Sequence, residues 1–246
     1  MFDYQAPDNL LENRTILVTG AGAGIGRAAA LSYAAHGATV ILLGRTEEKL
    51  EAVYDEIEAA GYPQPIIAPF NLETASETDF DNLAATLEQE IGQLDGILNN
   101  ASVLGLRTPM DSYDPSVWRQ VMQINVNATF MLTQSLLSLT QSSPDSSIIF
   151  TSSGVGRKGR AFWGAYAVSK FATEGMMQVL ADELEHLENI RVNCINPGAT
   201  RTNMRASAYP GENPSSNPAA EEIMPVYLYL MGPDSKGTTG QSLNAQ

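Results

Sequence analysis

Apolar runs alternate with helical periods along almost the whole chain. Arg14–Thr19 is apolar at consecutive positions and stops at a glycine cluster, the pattern of a strand buried on both faces. Ile25–His36 follows with Ala-rich helical spacing and closes at Gly37. The alternation continues with strand Thr39–Leu43, helix Thr46–Ala60, strand Pro65–Asn71, helix Ser76–Ile91 and strand Leu94–Asn99. After a Gly/Pro loop comes a long helical stretch, Tyr113–Gln141, then strand Ser146–Ser152 and a glycine-rich loop. Ala161–Leu187 reads as one long helix and Ile190–Ile195 as a sixth strand. Asn196–Asn217 is rich in Pro, Ser, Asn and Arg and reads as a loop, with or without a short helix. Ala220–Met231 reads as a helix kinked or restarted at Pro225, and Gly240–Asn244 as a last strand.

Such alternation, without repeats or low-complexity segments, implies right-handed βαβ units and a mainly parallel sheet covered on both faces. The expected fold is α/β: a single-domain, Rossmann-type doubly wound sheet over residues 1–246. Residues 1–13 form an N-terminal lead-in, and 196–217 a substrate loop or lid. An ordinary flexible loop accounts for 196–217 equally well. Sheets of this kind bind ligands beyond the carboxyl ends of their strands.

Composition narrows the function. The 246 residues are 43% hydrophobic and 17% charged, which suits a compact protein with a large core. A single cysteine, Cys194, rules out an intrachain disulfide, and with only His36 and His186 no metal site is expected. The N-terminus lacks the basic start and apolar run of a signal peptide. No stretch approaches membrane-spanning length, so no membrane partner and a reducing cytoplasmic location are expected. A net charge of −14 argues against nucleic acid as partner.

The glycine cluster carries the first candidate chemistry. Thr19–Gly26 reads TGAGAGIG, which fits the spacing G-x-x-x-G-x-G through Gly20, Gly24 and Gly26. It lies between a strand and a helix, where amides and the helix dipole stabilise a pyrophosphate. Cofactor contacts are expected at Gly20, Gly24, Ile25 and Gly26. The second strand ends in Leu43, Gly44 and Arg45, with no acid at its tip to bind a ribose. Arg45 is placed to meet a 2′-phosphate, which favours NADP(H) over NAD(H). A solvated arginine reads the same way. Glu47 and Glu48 fit better as first-turn carboxylates.

Tyr166 and Lys170 are spaced to lie one turn apart on a helix face. An ammonium close to a phenol favours the phenolate, which would suit Tyr166 to proton exchange near neutral pH. Alone, such a pair is more commonly a Lys stem packed on a ring. Ser153 at the end of the fifth strand and Asn125 within the long helix are placed to join it at the carboxyl edge of the sheet.

The runs TGAGAGIG (19–26), NNAS (99–102), NVNA (125–128), Ser153 with YAVSK (166–170), and NPGATRT (196–202) together resemble the short-chain dehydrogenase/reductase family. Longer runs such as WGAYAVSKFATEGMMQVLADE look like its bacterial YciK-like branch. The resemblance implies that Tyr166 is the general acid/base and that Ser153 binds the substrate oxygen. It implies that Lys170 lowers the Tyr166 pKa and binds the nicotinamide ribose, and that Asn125 holds a water of a proton relay. It places Asn71 and Leu72 near the adenine, Asn99 and Ala101 beside the cofactor, and Pro197, Gly198 and Thr202 at the nicotinamide. Three positions depart from the family: Ser102 replaces a glycine, Asn71 replaces an Asp, and Ala23 stands where many NADP users carry a basic residue.

Six of the 14 lysines and arginines lie in three loops: Arg107; Arg157, Lys158 and Arg160; Arg201 and Arg205. That suggests an anionic carbonyl or alcohol substrate, unless these groups make structural ion pairs. Trp163, Phe162, Leu104, Leu106, Met204 and Tyr209 are candidate pocket walls. A homodimer or homotetramer is expected through Tyr113–Gln141 and Ala161–Leu187, since MMQVLADELEHL is apolar on more than one face. The leading function is a short-chain oxidoreductase. A nucleotide-sugar-modifying enzyme and a non-catalytic NADP-sensing or scaffolding protein are the alternatives.

Overall fold

A computed structural model describes all residues, 1–246. Seven strands form one parallel sheet: β1 Thr15–Thr19, β2 Thr39–Gly44, β3 Ile66–Pro69, β4 Gly96–Asn99, β5 Ser146–Thr151, β6 Ile190–Asn196 and β7 Ser242–Asn244. Their order is β3-β2-β1-β4-β5-β6-β7, so the direction of winding reverses between β1 and β4. Strand alternation sorts the apolar residues by face. Val18, Val40, Leu42, Leu98 and Ile149 pack under α1 (Gly24–Ala35), α2 (Glu47–Ala59) and, later in the chain, Met224–Met231. Leu17, Ile41, Leu43 and Ile97 face the opposite way, toward α3 (Glu77–Ile91) and residues 124–139. The apolar runs Ile16–Val18 of β1 and Val40–Leu43 of β2 are continuous because both faces of the sheet are covered there.

The long stretch expected as one helix is broken. Helix α4 (Pro115–Met122) leads into a π-helical turn, Gln123–Asn127, followed by α5 (Ala128–Ser135) and α6 (Leu137–Gln141). The extra residue of a π turn rotates the following side chains and commonly marks a functional site. Here it turns Asn125 into the molecule, 3% exposed. Helix α7 runs from Gly164 to Glu183, shorter than expected at both ends. Gly164 starts it at φ +32°, and a Cβ there would lie 2.4 Å from the Tyr113 ring, so both the backbone and the space favour glycine. Residues 196–217 are not featureless: they hold α8 (Asn203–Ala208) and a short 3-10 turn, Pro214–Ser216. Pro225 sits in the first turn of α9 (Met224–Met231), which follows a separate 3-10 turn, Glu221–Ile223. No helix is long and apolar enough to cross a membrane, and no cluster of His, Cys, Asp and Glu is arranged to hold a metal ion.

Candidate active site

The turn between β1 and α1 is built by glycine where the backbone is crowded. Gly20 adopts φ +68°. A Cβ on Gly26 would lie 2.3 Å from the Gly20 carbonyl oxygen, so only glycine lets α1 start against this turn. Ala23 precedes α1 without a side-chain cap, and the first turn holds no acid. The leading amides are therefore left for an anion, which the helix dipole favours. The Thr19 hydroxyl accepts from the amides of Asn100 and Ala101, both at 2.9 Å, and donates to the Leu98 carbonyl. That joins the ends of β1 and β4 beside the turn.

A cleft of about 620 Å³ opens here, at the point where the winding reverses. Gly20, Gly24 and Ile25 line its middle, and Arg45, Asn71 and Leu72 one end. Ala101, Ser153, Tyr166, Pro197, Gly198 and Thr202 line the other. Uncapped amides, a glycine turn without space for a Cβ, and a cation at the far end are what a phosphorylated dinucleotide requires. Gly26 stands behind the turn rather than in the cleft. Asn99 departs from its expected place: its amide donates to Thr133 Oγ1 at 3.1 Å, beneath the sheet. The next residue, Asn100, lines the cleft instead, because successive residues of an extended chain point to opposite faces. The Arg45 guanidinium is 64% exposed and lies 3.7 Å from Glu73.

Ser153 follows β5 and opens a 3-10 turn, Gly154–Gly156. Tyr166 and Lys170 sit in the first two turns of α7, which packs against that turn. The two are on one face, as expected, but the ammonium is committed elsewhere. Lys170 Nζ donates to the Thr151 carbonyl at 2.8 Å and lies 5.6 Å from the Tyr166 ring centre. Burial pushes the Tyr166 phenol up to about 12, against the neighbouring Ser153 hydroxyl, which pulls it down. Burial likewise lowers Lys170 to about 8. The expectation that Lys170 lowers the Tyr166 pKa is not met here, because desolvation governs both groups. A neutral phenol at the cleft is a proton donor.

Asn125 does not line the cleft. Its side chain accepts from the Val103 amide at 2.8 Å and donates to the Val103 carbonyl and to Ser169 Oγ, each at 3.0 Å. It fastens the loop after β4 to α7. Glu174, one turn beyond Lys170, escaped the sequence reading. It is 7% exposed and accepts from Ser152 Oγ at 2.5 Å, Ser242 Oγ at 2.8 Å and Arg157 Nε at 3.3 Å. The available signal was its position: a carboxylate four residues after Lys170 falls on the same buried stripe of α7.

The arginine-rich loops divide into two groups. Arg157 is turned into structure, bound to Glu174, Ser242 and Asn244. Arg205 forms a two-pronged pair with Glu212, both bonds 2.6 Å. The Arg107 guanidinium lies between the Trp163 and Tyr209 rings, 4.8 Å from each centre, and donates to the Ala208 carbonyl. Structural engagement thus accounts for these three. Of the expected apolar walls, Leu104, Trp163 and Met204 line the cleft and cluster with Tyr166 and Tyr209. Phe162 and Leu106 do not; they are 52% and 42% exposed.

Comparison with known proteins agrees with this geometry. The family model described as short chain dehydrogenase matches residues 14–213. The chain is 55% identical over 243 residues to the oxidoreductase YciK of Escherichia coli K12, across 99% of this chain and 96% of that one. A solved short chain dehydrogenase from Pseudomonas syringae matches with a TM-score of 0.98 at 64% identity, covering 100% of both chains. Another from Shigella flexneri, solved in complex with NADP, matches with a TM-score of 0.95 at 55% identity, covering 98% of this chain and 100% of that one. With its sheet order, its glycine turn and matches that run the length of both chains, this protein is an oxidoreductase of the short-chain dehydrogenase family.

Proposed function

We propose that the protein transfers a hydride between NADP(H) and a small carbonyl or alcohol compound, with Tyr166 as the general acid/base. The observation that carries this reading is the meeting of Ser153 and Tyr166 at one end of the glycine-built cleft. NADP(H) rather than NAD(H) is supported by Arg45, with no acid at the β2 tip, and by the Shigella relative solved with NADP. The bound cofactor supplies or accepts the hydride; the rest of the work falls to side chains. Hydride arrival at a carbonyl carbon builds negative charge on its oxygen. Ser153 and the Tyr166 phenol are the donors for that oxygen, and they act best on charge that develops in the transition state. Tyr166 then delivers its proton. Lys170 would hold the ribose next to the reacting ring, and Pro197, Gly198 and Thr202 would border that ring. Asn125 positions rather than reacts: it holds the Val103 loop against α7.

Two further features accompany this reading. Phe130 on α5 and Val168, Phe171 and Val179 on α7 are 42–59% exposed, which supports self-association through these helices. Cys194 as a buried free thiol is in keeping with a reducing cytoplasmic setting.

The test is spectrophotometric: oxidation of NADPH and of NADH against aldehydes, quinones, diketones and keto acids. NADPH turnover with at least one class is expected. Tyr166→Phe should lower kcat by roughly a hundred- to ten-thousand-fold while NADPH affinity, read by fluorescence titration, stays close to wild type. Failure of the wild-type protein to bind NADPH would refute the proposal. Retained turnover in the variant would remove Tyr166 from the chemistry.

A further inference from the structure

Beyond Ser153 the cleft continues into a second cavity of about 470 Å³, which shares Ser153, Trp163, Gly198 and Arg205 with the first. Its walls include Lys158, Arg160 and Arg205, and no Asp or Glu. Tyr209 is the centre of this wall. The Arg205 guanidinium lies 3.9 Å from its ring centre and that of Arg107 4.8 Å from it. Arg160 donates to its hydroxyl at 3.1 Å. Lys158 makes no side-chain hydrogen bond or ion pair. The one carboxylate in contact with any of these four cations is Glu212, on Arg205.

Four cations against one carboxylate leave an excess of three positive charges around one end of the cavity. This occurs in a chain with 28 Asp and Glu against 14 Lys and Arg. Like charges so gathered repel, and a fold with twice as many acids as bases has neutral or paired alternatives available. Charge of one sign lining a cavity instead raises the local concentration of the opposite ion. Trp163 adds a second sign. It lines both cavities, and its indole N–H is buried without a partner. Buried donors are seldom left so.

We infer that the substrate carries, besides its carbonyl or hydroxyl, a carboxylate or phosphate group received at the Lys158–Arg160 side of this second cavity. The inference rests on the oxidoreductase reading above and specifies its substrate class. It also distinguishes among the cations. Arg205, neutralised by Glu212, and Arg107, stacked between two rings, hold the wall in shape. Lys158 and Arg160 have charge to spare. The reacting carbon sits at Ser153 and Tyr166, and the anionic group lies beyond Ser153, away from the phosphate-binding turn.

The experiment compares matched pairs of carbonyl compounds in NADPH oxidation: 4-carboxybenzaldehyde with its methyl ester, and glyceraldehyde 3-phosphate with glyceraldehyde. The readout is the ratio of kcat/KM for the charged member to that for the neutral member. In wild type at least one pair should give a ratio of about ten or more, falling as ionic strength rises. In the double variant Lys158→Gln, Arg160→Gln that ratio should collapse toward one. The two pairs tell carboxylate from phosphate. Ratios near one in wild type for both pairs, or a double variant that loses charged and neutral turnover equally, would overturn the inference and leave the oxidoreductase reading standing. Binding of NADPH with no turnover of any of the four compounds, or of any member of the wider carbonyl screen, would remove both.

Discussion

Lys170 is 3% exposed, and the one hydrogen bond of its ammonium is to a neutral carbonyl, that of Thr151. Folding strips its water without giving it a counter-ion, and the group answers by shedding its proton near pH 8. In the unfolded chain the same lysine keeps its proton up to its ordinary value of 10.5. Between those values the unfolded state binds more protons, so stability rises with pH across that window. The cofactor-free wild type should gain stability relative to Lys170→Met between about pH 8 and 10, by at most about 1.4 kcal/mol per pH unit. Urea unfolding of both proteins at several pH values measures this; parallel curves would show that the charge is better solvated than the burial implies. The positions of Tyr166 and Lys170 were legible in the sequence because helical spacing is local. Their ionisation was not, because it depends on what other elements exclude from around them.

At the scale of elements, α7 is the member that gathers the site. Its inward stripe carries Tyr166, Lys170 and Glu174 in successive turns, and the last two tie α7 to the end of β5. Glu174 draws in Ser152 after β5, Ser242 on β7 and Arg157 from the loop that leads into α7. Glu174→Ala would leave the Arg157 guanidinium without its charge partner. Because Arg157 is 32% exposed, water recovers part of the loss. A destabilisation of about 2 kcal/mol is expected, below the range for fully buried pairs, from the midpoint of a urea transition. An unchanged midpoint would mean that the pair's desolvation cost offsets its attraction. The π turn at Gln123–Asn127 is the counterpart on the opposite element. Sequence period alone reads 113–141 as a continuous helix, since one inserted residue barely disturbs an apolar pattern. What forces the turn is tertiary: Asn125 has to reach both backbone groups of Val103 and the hydroxyl of Ser169.

For the whole molecule, the exposed Phe130, Val168, Phe171 and Val179 lie on α5 and α7, on the far side from the sheet. Sedimentation velocity at micromolar concentration should give a dimer or tetramer. Phe171→Glu combined with Val179→Glu should shift it toward monomer. A monomeric wild type would leave this face without its expected occupant.

Sequence by itself determined the strand–helix alternation, hence a parallel sheet with its ligand cleft at the carboxyl edge. It also located the glycine turn and the residues Ser153, Tyr166 and Lys170, because strand and helix periods and steric demands on glycine are properties of short segments. Tertiary structure decided the rest. Asn100 takes the place expected of Asn99 because facing depends on where a strand ends. These loop cations look alike in sequence, yet Arg157 and Arg205 find carboxylates while Lys158 and Arg160 do not. Arg205 finds Glu212 seven residues on in its own loop, whereas Arg157 reaches Glu174 on α7 and Ser242 on β7, and that reach is decided by which elements meet across the fold.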